Sequence, residues 1–152
     1  MMEFAEIIKN TAREVISLLG FEGLIDSETD SGRLRLNIKS DEAGFLIGKE
    51  GENLRALQHI FLLMVSKKIG RPVYGSEVFL DVNNYQKERE AYLEALAKNT
   101  AQSVLETKKE QELSPMSASD RRVIHTTIEK IDGVKSESLG EGEARKVVVR
   151  PE

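Results

Sequence analysis

The 152-residue sequence has no cysteine and only two histidines, His59 and His125. Without cysteine there are no disulfides, no thiolate zinc sites and no cysteine nucleophile. Two histidines are too few for a histidine-rich metal site. No apolar run approaches the roughly 18 residues that a membrane-spanning helix needs, and the longest runs only from Ile60 to Val65. The opening "MMEFAEIIKNTAREVISLLG" interleaves acids with its apolar residues, whereas a secretory leader is basic and then purely apolar. The expectation is a cytoplasmic chain that is not an integral membrane protein. An excess of positive charge is also missing: 22 basic against 26 acidic residues give a net charge of −4. Proteins that bind nucleic acid by bulk phosphate attraction are usually basic, so any such contact here has to be local. Apolar residues at 39% and charged residues at 32% suit a folded chain of one ordinary or two very small domains.

Periodicity supplies the elements. Phe4, Ile7, Ile8, Ala12, Val15, Leu18 and Leu19 fall on one helical stripe, which Gly20 ends. Two strand-like segments follow, separated by a turn signal at Asp30, Ser31 and Gly32; the second, "RLRLNIK", alternates strictly and carries a basic outer face. "SDEAGFLI" restarts a helix, with Ser40 or Asp41 as its cap. A third helix, with Leu54, Leu57, Phe61, Met64 and Val65 inward, ends at Gly70, and "SEVFLDV" is a strand. Asn83 or Asn84 caps a long helix from Tyr85 to about Lys109, with Tyr92, Leu93, Leu96, Ala97 and Val104 inward. Leu113 to Met116 can form a short strand, Ser117 or Ser119 caps "DRRVIHTTIEKI", and two strands around a Gly-Glu-Gly turn close the chain. The order is α-β-β-α-α-β and then α-β-α-β-β, an α+β fold of two small domains with almost no linker near Asn83.

The segment "GFLIGKEGENLRALQHI" spends two glycines, Gly48 and Gly51, on a single helix–helix corner. A Walker loop needs four residues between its glycines and then Lys and Ser/Thr; Gly44 and Gly48 have three between them, and Glu50 stands where the hydroxyl belongs. The dinucleotide fingerprint is absent too. A Gly-x-x-Gly turn that presents backbone N–H groups at a helix start fits a phosphodiester backbone. Set after two strands and before a third, it is the arrangement of a KH domain, whose loop clamps about four nucleotides. The plain alternative is a corner with two glycines for sterics. Further on, Arg121 and His125 lie four residues apart, about 40° around a helix, on one face. A forked guanidinium beside an imidazole can contact a phosphate and a base; the alternative is a solvated face. His59 reads as a packing or helix-surface residue, and no carboxylate pair, Ser/His/Asp set or metal spacing stands out. No catalysis, metal or cofactor is expected.

The segment "GFLIGKEGENLRALQHI" resembles the KH domain of the bacterial Jag family, also called the SpoIIIJ-associated protein, KhpB or EloR family. "LSPMSASDRRVIHTTIEKIDGVKSESLGEGEARKVVVRP" is similar to the Arg-xxx-His domain that ends that family. The resemblance implies a type II KH domain over residues 1–83 and an Arg-xxx-His domain over residues 84–152 that binds single strands. Nucleic-acid contacts are expected at Ile47, Gly48, Lys49, Glu50, Gly51 and Arg55, and at Arg121 and His125; Arg122, Lys146 and Arg150 are supporting phosphate candidates, the alternative for each being an ordinary surface charge. Family loops often carry two basic residues between the glycines; this one has Lys49 but Glu50. The implied function is single-stranded RNA binding, single-stranded DNA being left open, by a bacterial regulator linked to cell elongation and envelope growth. The implied partners are a small single-KH protein and the membrane-protein insertase. The rival is an interaction scaffold with weak or no RNA binding. Many relatives carry a further N-terminal domain, so a short relative and a piece of a longer protein both fit.

Overall fold

The computed structural model describes residues 2–152. It divides into two compact units, one ending at Gln86 and one running Lys87–Glu152. The expected α+β order is present in both.

In the first unit, α1 (Met2–Leu18) buries Ile8, Ala12, Val15 and Ile16. Its end is a Schellman motif: Phe21 N–H reaches Ile16 O at 2.9 Å, Gly20 N–H reaches Ser17 O at 3.0 Å, and Gly20 takes φ 83°. Leu18 and Leu19, expected on the inward stripe, are instead 74% and 54% exposed. Ile16, which the stripe omitted, takes the buried position. Strand β1 (Leu24–Asp30) pairs antiparallel with β2 (Arg33–Lys39). Ser31 and Gly32, both at positive φ, make the two-residue turn that matches strand twist. β2 pairs in parallel with β3 (Val78–Val82), giving the order β1-β2-β3. The crossover between them holds α2 (Ala43–Ile47), a single turn Lys49–Gly51 and α3 (Glu52–Ile69). Leu36, Ile38, Leu54, Phe61 and Leu80 fill the core. This is the type II KH order.

Two capping expectations need correction. The N-cap of α2 is Glu42, with no side-chain cap; Ser40 Oγ accepts from Glu42 N–H at 3.1 Å. Ser40 is held by Asn83, whose Oδ1 accepts from Ser40 N–H and whose Nδ2 donates to Ser40 O, both at 3.0 Å. Asn83 is therefore a clasp between the ends of β2 and β3. The acceptor at the start of α4 (Tyr85–Thr107) is Asp81, whose Oδ1 takes Gln86 N–H at 3.0 Å.

The second unit contains most of α4, which buries Leu93, Ala97, Thr100, Ala101 and Val104. Tyr92, expected inward, is 57% exposed, with the Arg89 guanidinium 5.4 Å from its ring centre. It lies one residue, about 100°, off the buried stripe. Strand β4 is Gln111–Glu112, two residues ahead of the expected Leu113 start. Leu113 N–H still reaches Val147 O and Met116 N–H reaches Arg145 O, but Pro115 between them has no N–H for the ladder. Helix α5 (Ala118–Glu129) is capped by Ser117, which accepts from Asp120 N–H at 3.3 Å. β5 (Val134–Leu139) and β6 (Lys146–Pro151) form the closing antiparallel hairpin, in the sheet order β4-β6-β5. Ile124, Ile128, Val147 and Val149 join the α4 stripe in this core.

Candidate nucleic-acid interface

The corner between α2 and α3 needs both of its glycines. Gly48 adopts φ 71°, ψ −177°, a region open essentially to glycine alone. A Cβ there would stand 2.6 Å from Asn53 Cγ. The close passage lets Asn53 Nδ2 donate to Phe45 O at 2.9 Å, which satisfies a terminal carbonyl of α2. Gly51 is buried at φ 76°, and a Cβ there would meet the Tyr85 ring at 3.0 Å. Between them Glu50 is also left-handed, at φ 53°, ψ 27°. The turn is held from α3 by Arg55, whose Nη1 donates to Glu50 O at 2.9 Å. Arg55 thus uses one of its five N–H donors to fix the loop.

Lys49 and Glu50 are exposed at the tip, and Leu46 and Ile47 pack inward behind it. Ile47, Gly48, Lys49, Glu50, Gly51 and Arg55 therefore form one contiguous corner at the N-terminus of α3. Elsewhere in this unit an apolar groove is lined by Leu18, Phe21, Phe45, Ile60 and Met64, with Phe45 72% exposed. Sequence periodicity treats such residues as core and does not signal a groove.

In the second unit the four-residue spacing does bring Arg121 and His125 together, on the side of α5 that faces the edge strand β5. Arg121 Nη1 donates to Met116 O at 2.7 Å. Both ring nitrogens of His125 are engaged: Nδ1 lies 2.7 Å from Ser136 Oγ and Nε2 lies 2.7 Å from Ser138 Oγ. Burial pushes the His125 pKa below its usual 6.5; Glu129 opposes this, and Arg121 and Arg145 add to the depression. Arg145, on the approach to β6, donates through Nη1 to Gly140 O at 2.7 Å. Ser136, Ser138 and Arg145 were not singled out in the sequence. Only the i, i+2 serines of "KSESL" hinted that two hydroxyls share a strand face.

The other candidates in this unit lie apart from that cluster. Arg122 lines a groove between α4 and α5 with Glu94, Thr126 and Lys130. In the β5–β6 register Ser136 and Ser138 stand opposite the buried Val149 and Val147. Lys146 and Arg150 alternate with those valines and so occupy the opposite face of the sheet. There Lys146 pairs with Glu112 at 2.6 Å, and Arg150 pairs with Glu110 at 2.9 Å and Glu137 at 2.5 Å. Among the described residues there is no cluster that could hold a metal ion and no helix long and apolar enough to cross a membrane.

The family model of the Arg-xxx-His domain matches residues 91–151. The RNA-binding protein KhpB of Clostridium symbiosum is 37% identical over 123 residues, which cover 81% of this chain and 54% of that protein. The RNA-binding protein KhpB of Bacillus subtilis is 36% identical over 118 residues, 76% of this chain and 55% of that protein. Its namesake from Streptococcus pneumoniae is 33% identical over 138 residues, 91% of this chain and 41% of that protein. The chain spans about half the length of these curated relatives. With the KH element order in its first unit and the Arg-xxx-His match in its second, the chain belongs to the Jag family of KhpB proteins.

Proposed function

We propose that this chain binds single-stranded RNA through two separate sites and performs no chemistry. The observation that carries the reading is the Gly48–Gly51 turn. Both glycines sit at positive φ, and Lys49 stands exposed at the N-terminus of the 18-residue α3. Backbone donors and the helix dipole there favour an anionic backbone. Ile47, behind the turn, offers an apolar surface for a base. The Arg121, His125 and Arg145 cluster is the second site. Linking two weak sites on one chain raises overall affinity through effective concentration, which offsets the net charge of −4. Lys146 and Arg150 are already engaged by acids, so they add less than Arg121 and Arg145.

The names of the KhpB relatives support RNA as the ligand. The family resemblance extends the proposal to a cytoplasmic regulator of cell elongation and envelope growth. It also extends it to a small single-KH partner and to the membrane-protein insertase. Anisotropy titrations with short labelled single strands of RNA and DNA, beside a duplex control, test the core of the reading. Saturable binding to single-stranded RNA is expected; no preference over duplex would overturn it.

A second reading, an interaction scaffold without RNA binding, is favoured by Glu50 in the loop and by the open apolar groove at Phe45 and Ile60. Under it, Ile60→Asp abolishes capture of the small single-KH partner and no single strand binds.

A further inference from the structure

The His125 cluster contains two polar groups that neither residue spacing nor the family resemblance assigns. A neutral imidazole has one N–H and one lone pair. With Ser136 and Ser138 each 2.7 Å from a ring nitrogen, one serine must donate its hydroxyl hydrogen to the ring and the other must accept from it. Only the accepting serine keeps a hydrogen for an outside ligand. When the ring takes a proton from solvent, both nitrogens become donors. Both serines then accept, and both hydroxyl hydrogens turn outward. One proton therefore adds a positive charge and a second outward O–H at the same place.

The surroundings suit an anion. His125, Ser136 and Ser138 are half-buried and keep a solvent-facing edge. Arg121 and Arg145 flank them, each anchored to a backbone carbonyl through one N–H, which leaves further donors on each fork. We propose that Ser136 and Ser138 are phosphate-binding residues of this site, and that His125 is the positioning residue that aims their hydroxyls at a backbone phosphate of a single strand. The proposal rests on the nucleic-acid reading above.

It has a consequence in pH. The charged groups facing the ring are Arg121 and Glu129 on α5 and Arg145 on the hairpin. In the free protein burial and the two arginines favour the neutral ring, against Glu129. A phosphate seated among the arginines neutralises their effect and favours the protonated ring. Binding therefore takes up a proton, and affinity rises as pH falls.

The test is anisotropy of the full chain with a fluorescein-labelled oligouridylate of about 12 nucleotides, longer than the roughly four that a KH loop clamps. Titrations are made at constant ionic strength from about pH 8 to about pH 6, the range in which histidine changes charge. One linked proton tightens wild-type binding by up to about tenfold per pH unit. The Ser136→Ala, Ser138→Ala double variant is expected to bind more weakly and to lose most of this acid gain. The corresponding pair of Ser→Thr changes, which keep the hydroxyls, is expected to restore both. His125→Gln, which bridges hydroxyls but does not titrate, is expected to show no gain in affinity as pH falls. Should the alanine variant melt early, the Ser→Val pair is compared with the Ser→Thr pair, which has the same shape. An acid gain that survives in the hydroxyl-less variant or in His125→Gln overturns the serine and histidine roles while leaving RNA binding intact. Failure of the wild type to bind at either pH instead removes the nucleic-acid reading, and this inference with it.

Discussion

Arg55 Nη1 donates to the carbonyl oxygen of Glu50 across 2.9 Å, and Glu50 is held at φ 53°, ψ 27°. A side chain in the left-handed region costs roughly 1–2 kcal/mol. Glycine removes that strain but adds freedom to the unfolded chain, worth about 0.4–1 kcal/mol in the other direction. Glu50→Gly should therefore stabilise the protein by about 0.5–1 kcal/mol in urea denaturation. A loss of stability would mean that the Glu50 side chain makes a stabilising contact that outweighs the strain.

The charge of Glu50 is a separate matter from its backbone. It is exposed at the tip of the loop, so reversing it leaves the core untouched. Glu50→Arg should tighten binding to single-stranded RNA and steepen its salt dependence, by about 0.7 in the log–log slope for one further phosphate contact on a single strand. An unchanged slope would place the phosphate elsewhere.

Asp81 is fully buried and accepts from Arg35 Nη2 at 3.0 Å, from Val82 N–H at 2.8 Å and from Gln86 N–H at 3.0 Å. It joins β2, the end of β3 and the first turn of α4. Asp81→Ala strands the largely buried Arg35 and leaves backbone donors without acceptors. A cost of about 3–5 kcal/mol is expected, as for a broken buried ion pair. Denaturant midpoints measure it; a loss below about 1 kcal/mol, the scale of an exposed pair, would contradict the role.

Stability should also follow pH through His125. Its pKa in the folded protein lies below the usual 6.5, chiefly through burial and then through Arg121 and Arg145, with Glu129 opposing. Between the lowered value and 6.5 the unfolded chain binds more protons than the folded one, so stability rises with pH across that window. The contribution is complete above the window and lost below it. Urea midpoints of the wild type, compared with those of His125→Gln, isolate the effect. A wild type that becomes more stable, relative to His125→Gln, as pH falls through the window would contradict it.

The features legible in the sequence are those that short-range pattern encodes. Alternation in "RLRLNIK" and "SEVFLDV" marked β2 and β3, and Ser117 was readable as a cap because its partner is three residues on. The glycine pair stood out because one corner carries two glycines where a single one would make the turn. Long-range pairings were not legible. His125 meets hydroxyls 11 and 13 residues away, and Ser40 meets Asn83 43 residues away. These depend on strand register and crossover, which no local period records. Leu18 and Tyr92 show the opposite error: apolar residues near a stripe count as core, although only tertiary packing decides which side is covered.

The central claim is that the glycine loop grips a single strand. Lys49 and Glu50 are both exposed in the turn, and aspartate tolerates the left-handed backbone at position 50 better than most residues. Replacing both, as Lys49→Asp with Glu50→Asp, therefore adds repulsion without opening a cavity. The deciding measurement is the anisotropy of a labelled single-stranded RNA of about four nucleotides, short enough to fill only a KH loop. It is made for wild type and double variant side by side, with circular dichroism on the same samples. Binding should be lost in the variant while the spectrum and melting stay those of the wild type. Equal affinity in the two proteins, both folded, would contradict the account.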